Sequence, residues 1–121
     1  MKYHDVQPIS RSDATKVLSG NDSVAICNTL VSLAFHEPDW RWVQGHCLDK
    51  LGNEDKHVAG VAATCLGHLA RIHRRSDISV VVPVLESARK NVDIRGRVED
   101  ALGDIRMYAE GTKRDGRDKP C

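Results

Sequence analysis

The chain has 121 residues, of which 29% are charged, a formal net charge of +1 and five aromatic side chains. This length predicts one domain with a modest core built from Leu, Val, Ile and Ala. The near-neutral charge excludes a general electrostatic attraction to nucleic acid, and the absence of an apolar run near about 18 residues argues against a membrane span.

The first half of the chain has the pattern of three helices separated by turns. Ser10 or Ser12 can cap the first helix, and Asp22 can cap the second. Pro38 is tolerated in the first turn of the third. The predicted helices cover residues 13–18, 23–35 and 39–51.

The longest predicted helix lies within residues 54–75, where Asp55 is the candidate cap. Apolar residues recur there at spacings of three and four, so they line one buried face. A second stripe carries only very small side chains, which predicts that a neighbouring helix approaches closely. The stripe consists of Gly60, Ala63, Gly67 and Ala70.

The last part of the chain predicts two more helices and a tail. Ser76 or Asp77 can cap a fifth helix that runs to about Lys90. Its β-branched residues 78–85 are also compatible with a strand, but Pro83 and the flanking repeat favour a kinked helix. A sixth helix, capped by Asn91, ends near residues 109–111. Residues 112–121 have no apolar face and are expected to form a disordered basic tail.

A 36-residue repeat relates the sixth helix to the fourth. Residues 94, 96, 98, 101, 102, 103 and 105 fall opposite residues 58, 60, 62, 65, 66, 67 and 69, so Gly96 and Gly103 match Gly60 and Gly67. Glycine costs a helix interior about 1 kcal/mol relative to alanine, so both glycine pairs predict close packing. A fixed period of this size indicates an array of helical repeats.

Residues 81–105 resemble a HEAT repeat. The resemblance rests on Pro83 in the first helix, Asp93 in the turn, the Ile94-Arg95 pair, and Ala-Leu-Gly at 101–103. The family's Asp–Arg ladder between repeats is not expected, because Ala59 stands where its arginine would be.

This resemblance implies an all-α fold of about six helices in three antiparallel hairpins, forming a short right-handed α-solenoid. We expect one domain over residues 1–111, with hairpins at about 10–35, 38–73 and 76–109. In HEAT-like arrays the second helices of the hairpins line a concave surface where partners bind.

No sequence pattern indicates catalysis, a metal or a cofactor. There is no nucleophile motif and no phosphate-binding glycine loop. His36-Glu37 resembles one of the His-Glu pairs of HEAT-type iron hydroxylases, but those enzymes need several facing pairs. The four cysteines have no metal-ligand spacing, and Cys27, Cys47 and Cys65 lie within apolar helical faces. Together with the lack of an apolar signal core, this predicts a non-enzymatic protein in the reducing cytoplasm.

The surface predicted to bind a partner is a third stripe on the second helices, which is expected to face neither the core nor a neighbouring helix. Its charges change sign between the fourth and sixth helices, as suits protein recognition. Trp40 and Trp42 cannot share a helical face, so one should be buried and the other partly exposed as an interface anchor, unless both are buried. The candidate partner-binding residues are Trp40, His57, Thr64, His68, Arg71, Arg97, Glu99, Asp100, Asp104 and Met107.

In overall pattern, including DWRWV at 39–43 and the segment 54–73, the chain is similar to immunity proteins of bacterial contact-dependent growth inhibition (CDI) systems. The resemblance implies a monomer that binds a toxin's C-terminal domain, with Glu99, Asp100 and Asp104 covering the basic cleft of a nuclease. One alternative is a HEAT-like adaptor for an endogenous partner. A less favoured one is a nucleic-acid-binding protein of the alkylpurine glycosylase type, in which Arg71, Arg74 and Arg75 contact phosphates instead of stabilising a helix end.

Overall fold

The computed structural model describes residues 7–109, which form six α-helices and no sheet. The all-α prediction is therefore confirmed. The predicted tail at 112–121 and the beginning of the lead-in lie outside the described residues. The helices are α1 (Arg11–Leu18), α2 (Ser23–His36), α3 (Trp40–Lys50), α4 (Lys56–His73), α5 (Ile78–Ala88) and α6 (Arg95–Tyr108).

Short polar side chains determine where several helices begin. The carboxylate of Asp22 accepts a hydrogen bond from the Ala25 N–H at 3.1 Å, and that of Asp55 accepts from His57 at 2.8 Å. Each bond satisfies a backbone donor that has no partner inside the helix. Asp39 caps α3 in the same way, so Pro38 precedes the cap instead of occupying the first helical turn.

Helix α4 lies at the centre of the fold. It packs between α2 and α6 and also against α3, while α1 contacts α2 and α5 contacts α6. Its apolar face is buried in the core with Leu30 and Leu33 of α2, Val43 of α3 and Ile105 of α6. Second helices therefore lie side by side, as the 36-residue period predicts. The right-handed superhelix and the single-domain boundaries stay predictions.

The small side chains of α4 let α6 approach closely. A Cβ at Gly60 would lie 2.9 Å from Cδ of Arg97, and a Cβ at Gly67 would lie 3.1 Å from Cα of Ala101. The equivalent glycines of α6 behave differently, because a Cβ at Gly96 or Gly103 would meet nothing within 4 Å. The packing prediction is confirmed for the α4 pair and wrong for the α6 pair, since no described helix follows α6.

The fifth helix is a helix despite its β-branched residues and Pro83, which confirms that prediction. It ends at Ala88, two residues before the expected Lys90. The prediction that Asn91 caps α6 is wrong, because its carboxamide accepts from the Asp93 N–H at 3.0 Å and closes the preceding turn. The cap position belongs to Ile94, which has no side-chain cap bond.

Arginine–aspartate pairs connect the N-terminal ends of α1, α3 and α5. Arg11 lies 3.4 Å from Asp39, and Arg41 donates two hydrogen bonds, of 2.9 and 2.8 Å, to Asp77. Asp77 also bonds the buried amide of Gln44 at 2.8 Å, and these partners lower the pKa of its carboxyl group. These pairs form a series of Asp–Arg contacts between the first helices of successive hairpins. They do not involve position 59, where the family's arginine is missing.

Among the described residues, none of the helices combines the length and apolar character that a membrane crossing requires.

Helix α4 ends at His73, and its C-cap Arg74 adopts the left-handed conformation at φ 59° and ψ 31°. Its guanidinium lies 5.4 Å from the ring centroid of Tyr108. Arg74→Gly and Arg74→Ala both lose this stacking, but only alanine keeps the backbone strain. We expect the glycine variant to be more stable than the alanine variant by about 1 kcal/mol in urea unfolding. Equal stabilities would contradict a strain at this position.

Candidate partner-binding surface

Two pairs of predicted site residues meet where α4 packs against α6, a region called here the α4–α6 seam. Arg97 of α6 donates a 3.1 Å hydrogen bond to Oγ1 of Thr64. About two helical turns further along, Nε of Arg71 lies 3.3 Å from Oδ2 of Asp104. Both contacts join residues that are 33 positions apart. The structure therefore brings Thr64, Arg71, Arg97 and Asp104 together as predicted, but their polar groups contact one another.

His68 is buried, with 5% of its surface exposed, so its expected position on an open stripe is wrong. The ring of Phe35 from α2 lies 5.2 Å from the His68 ring, and Nη2 of Arg71 donates to Nδ1. Burial, followed by the charge of Arg71, lowers the pKa of His68 to about 4. The side chain is therefore a neutral packing element between α2 and α4.

The three carboxylates expected to form one acidic surface point to different neighbours. Asp104 pairs with Arg71 of α4, whereas Glu99 lies 3.5 Å from Arg89 beyond the end of α5. Asp100 is exposed and forms no ion pair with another residue of the range 7–109. Its charge is therefore the least compensated of the three.

Asp100 belongs to a row of α6 residues that no described part of the chain covers. Gly96, Asp100, Gly103 and Met107 follow one another at spacings of four, three and four, so they share one side of the helix. Met107 is 72% exposed, and Gly96 and Gly103 have free space in the Cβ direction. We call these four residues the open face of α6. Sequence reasoning selected Asp100 and Met107 but missed the two glycines as site residues.

The remaining candidates lie away from the seam. His57 is exposed at the beginning of α4, where its N–H bonds the Asp55 cap. Trp40 and Trp42 are both partly buried on α3, under the guanidinium groups of Arg41 and Arg11 at 4.8 and 4.1 Å. Neither tryptophan is fully buried, so the expected pairing of one buried with one partly exposed tryptophan does not hold. Trp40 remains a candidate on a helix that is separate from the seam.

The described residues contain no group of three or more metal-ligating side chains. Cys27, Cys47 and Cys65 are free and buried, as predicted; Cys121 lies outside the described range. A hydrogen bond with Cys47, followed by burial, raises the pKa of the Cys65 thiol well above its ordinary value. The Cys65 thiol therefore stays protonated, and all three buried cysteines serve as small core side chains.

The described residues thus form an all-helical protein with a charged packing seam between α4 and α6 and an open face on α6. No protein-family model and no curated protein matches the chain. Among solved structures it is similar to a chain of the CDI complex from Cupriavidus taiwanensis LMG 19424. The TM-score is 0.78 at 27% sequence identity, over 89% of this chain and 96% of the other. The predicted resemblance to proteins of CDI systems is confirmed.

Proposed function

We propose that this chain is a CDI immunity protein, which binds the C-terminal domain of a cognate toxin and neutralises it without catalysis. The observation that carries the proposal is the similarity to a chain of a CDI complex, which extends over nearly the full length of both chains. The agreement in length and fold supports a shared binding role. We further propose that the protein acts in the cytoplasm and is a monomer before it meets the toxin.

The toxin is proposed to be a nuclease whose substrate cleft is positively charged. A carboxylate without a cationic partner offers its full charge to such a cleft, and within residues 7–109 Asp100 is the exposed α6 carboxylate without an ion pair. Asp104 and Glu99 are already paired with Arg71 and Arg89, so they contribute less to attraction over distance. Charge complementarity of this kind orients the partners and speeds their encounter.

Growth rescue tests this function directly. The chain is co-expressed with the C-terminal domain of the large protein encoded immediately upstream, and growth is compared with that of cells expressing the domain alone. Restored growth together with a purified 1:1 complex supports the immunity role. A domain that stays toxic, or a neighbouring domain without toxicity, contradicts it and favours an adaptor for an endogenous partner.

Reversing the charge of Asp100 tests the proposed contact. We expect Asp100→Lys to slow association and weaken the complex about tenfold, and the effect should shrink as salt screens the charges. Helicity should be unchanged, because the side chain has no described ion pair. Asp49→Lys is the matched control, since Asp49 is 71% exposed on α3. Equal affinities of the two variants in calorimetry would move the binding site away from Asp100.

The nucleic-acid alternative loses support in the structure. Arg71 is bound by Asp104 and His68, and Arg74 stacks on Tyr108. Both groups therefore already have partners within the protein. The basic cluster is better explained as part of the packing at the end of α4.

A further inference from the structure

The chain contains its own example of how the open face of α6 can be occupied. Under the 36-residue repeat, Gly96, Asp100, Gly103 and Met107 of α6 are equivalent to Gly60, Thr64, Gly67 and Arg71 of α4. Those four α4 residues are the ones against which α6 packs. The open face is thus the counterpart of a surface that already receives a helix in the same molecule.

The contacts of α6 on α4 show what such a helix must supply. Arg97 bonds Thr64, Ala101 lies over Gly67, and Asp104 pairs with Arg71. The three contacting residues are separated by four and then three positions along α6. The same 33-residue offset recurs one hairpin earlier, between α2 and α4, where the ring of Phe35 contacts the ring of His68. The arrangement therefore repeats from one second helix to the next, with side chains matched to their neighbours.

Transferred to the open face, this pattern predicts a complementary helix. A basic side chain would meet Asp100, in the place that Arg97 takes opposite Thr64. A small residue four positions later would lie over Gly103, and an apolar residue three positions further would cover Met107, which is 72% exposed. The pattern thus specifies three positions of the partner helix: one basic, one small and one apolar residue.

We propose that the open face of α6 seats a helix of the toxin domain, with a basic residue, a small residue four positions on and an apolar residue seven positions on. This inference rests on the proposed immunity function and names the surface and partner chemistry that carry it. The charge of Asp100, which no side chain of residues 7–109 pairs, selects a cationic partner. The glycines let the two helix axes approach as closely as α4 and α6 do.

A second copy of this chain fits the face less well. A two-fold axis midway between Gly96 and Gly103 would place Asp100 of one copy against Asp100 of the other. Like charges in contact oppose such a dimer. Charge complementarity therefore favours a foreign helix over a copy of α6.

Gly103→Leu tests the docking surface, because its side chain would occupy the space reserved for the partner helix. Gly45→Leu is the matched control, since Gly45 is exposed within α3 and a Cβ there meets nothing within 4 Å. Affinity for the toxin domain encoded upstream is measured by calorimetry, with circular dichroism to confirm folding. We expect Gly103→Leu to weaken binding at least about 30-fold and Gly45→Leu to change it less than about twofold.

The outcomes separate this inference from the function on which it rests. If the unmodified chain binds the toxin domain and both leucine variants bind equally well, the docking surface is wrong and the immunity function stands. If the unmodified chain does not bind, the proposed function fails and the inference fails with it. A free chain that sediments as a dimer and becomes monomeric on Gly103→Leu assigns the face to a second copy. If Gly103→Leu weakens toxin binding in the full chain but not in a chain that lacks residues 110–121, the open face is assigned to that segment.

Discussion

Gly67→Leu should destabilise the protein by about 3 kcal/mol or more. A Cβ at Gly67 would already lie 3.1 Å from Cα of Ala101 and 2.8 Å from Oδ2 of Asp104. The first of these contacts is backbone, so relief requires a movement of α6 as a whole. Overpacking of this kind typically costs about 1 to 3 kcal/mol, and four added carbons place this variant at the upper end. Urea unfolding followed by circular dichroism measures the loss as a lower midpoint.

Gly103→Leu is the informative comparison, because repeat symmetry makes it the same substitution at an equivalent position. No atom of the described residues lies within 4 Å of a Cβ built at Gly103, so helix propensity is the main change. Leucine favours a helix over glycine by about 0.5 to 1 kcal/mol, so this variant should be slightly more stable than the unmodified chain. Similar effects at both positions would refute the difference in environment between α4 and α6.

Local signals in the sequence were sufficient to locate most of the helices. Asp22 and Asp55 cap α2 and α4 as predicted, since a cap depends only on a short polar side chain and the next few N–H groups. The helix at 78–88 needed the repeat as well, because its β-branched composition alone suits a strand. Asn91 misled the prediction, since a carboxamide that closes a turn and one that caps a helix look alike in sequence.

The environments of the four helical glycines could not be predicted from local sequence. Gly60 and Gly67 hold the same positions of the 36-residue repeat as Gly96 and Gly103, yet among the described residues only the first two meet another helix. What distinguishes them is the position of each helix within the array, which no short pattern records.

That the candidate residues bind a partner stays a prediction, but their arrangement can be compared with what the sequence suggested. Thr64, Arg71, Arg97 and Asp104 were selected because they share a stripe with exposed charge, and they do lie together. Their mutual bonding depends on how far α6 is rotated and shifted against α4, which helical spacing does not fix. His68 was wrongly predicted to be exposed for a related reason. It is covered by Phe35 of the neighbouring helix α2, a contact that the spacing within α4 does not reveal.

His68 couples this packing to pH. Its ring is buried between Phe35 and the Arg71 guanidinium, and Arg71 is itself held by Asp104. A proton on His68 would place a second positive charge beside Arg71 in a site with little water. Burial and this charge lower the pKa of His68 from 6.5 to about 4. The folded state therefore binds the proton less readily than the unfolded chain does.

Stability should consequently fall as the pH drops from about 6.5 to about 4, and it should be fully present above that range. Between these pH values His68 is protonated in the unfolded chain but stays neutral in the folded protein. At about 1.36 kcal/mol per pKa unit the loss reaches at most about 3 kcal/mol, and solvent screening at the edge of the site reduces it to about 2 kcal/mol.

Burial also lowers the pKa of His46, so the test compares the unmodified chain with His68→Leu across this range. The variant should lose most of the pH dependence, whereas Met107→Leu, exposed and without a titrating group, should keep it. Parallel curves for the unmodified chain and His68→Leu would show that the acid sensitivity arises elsewhere.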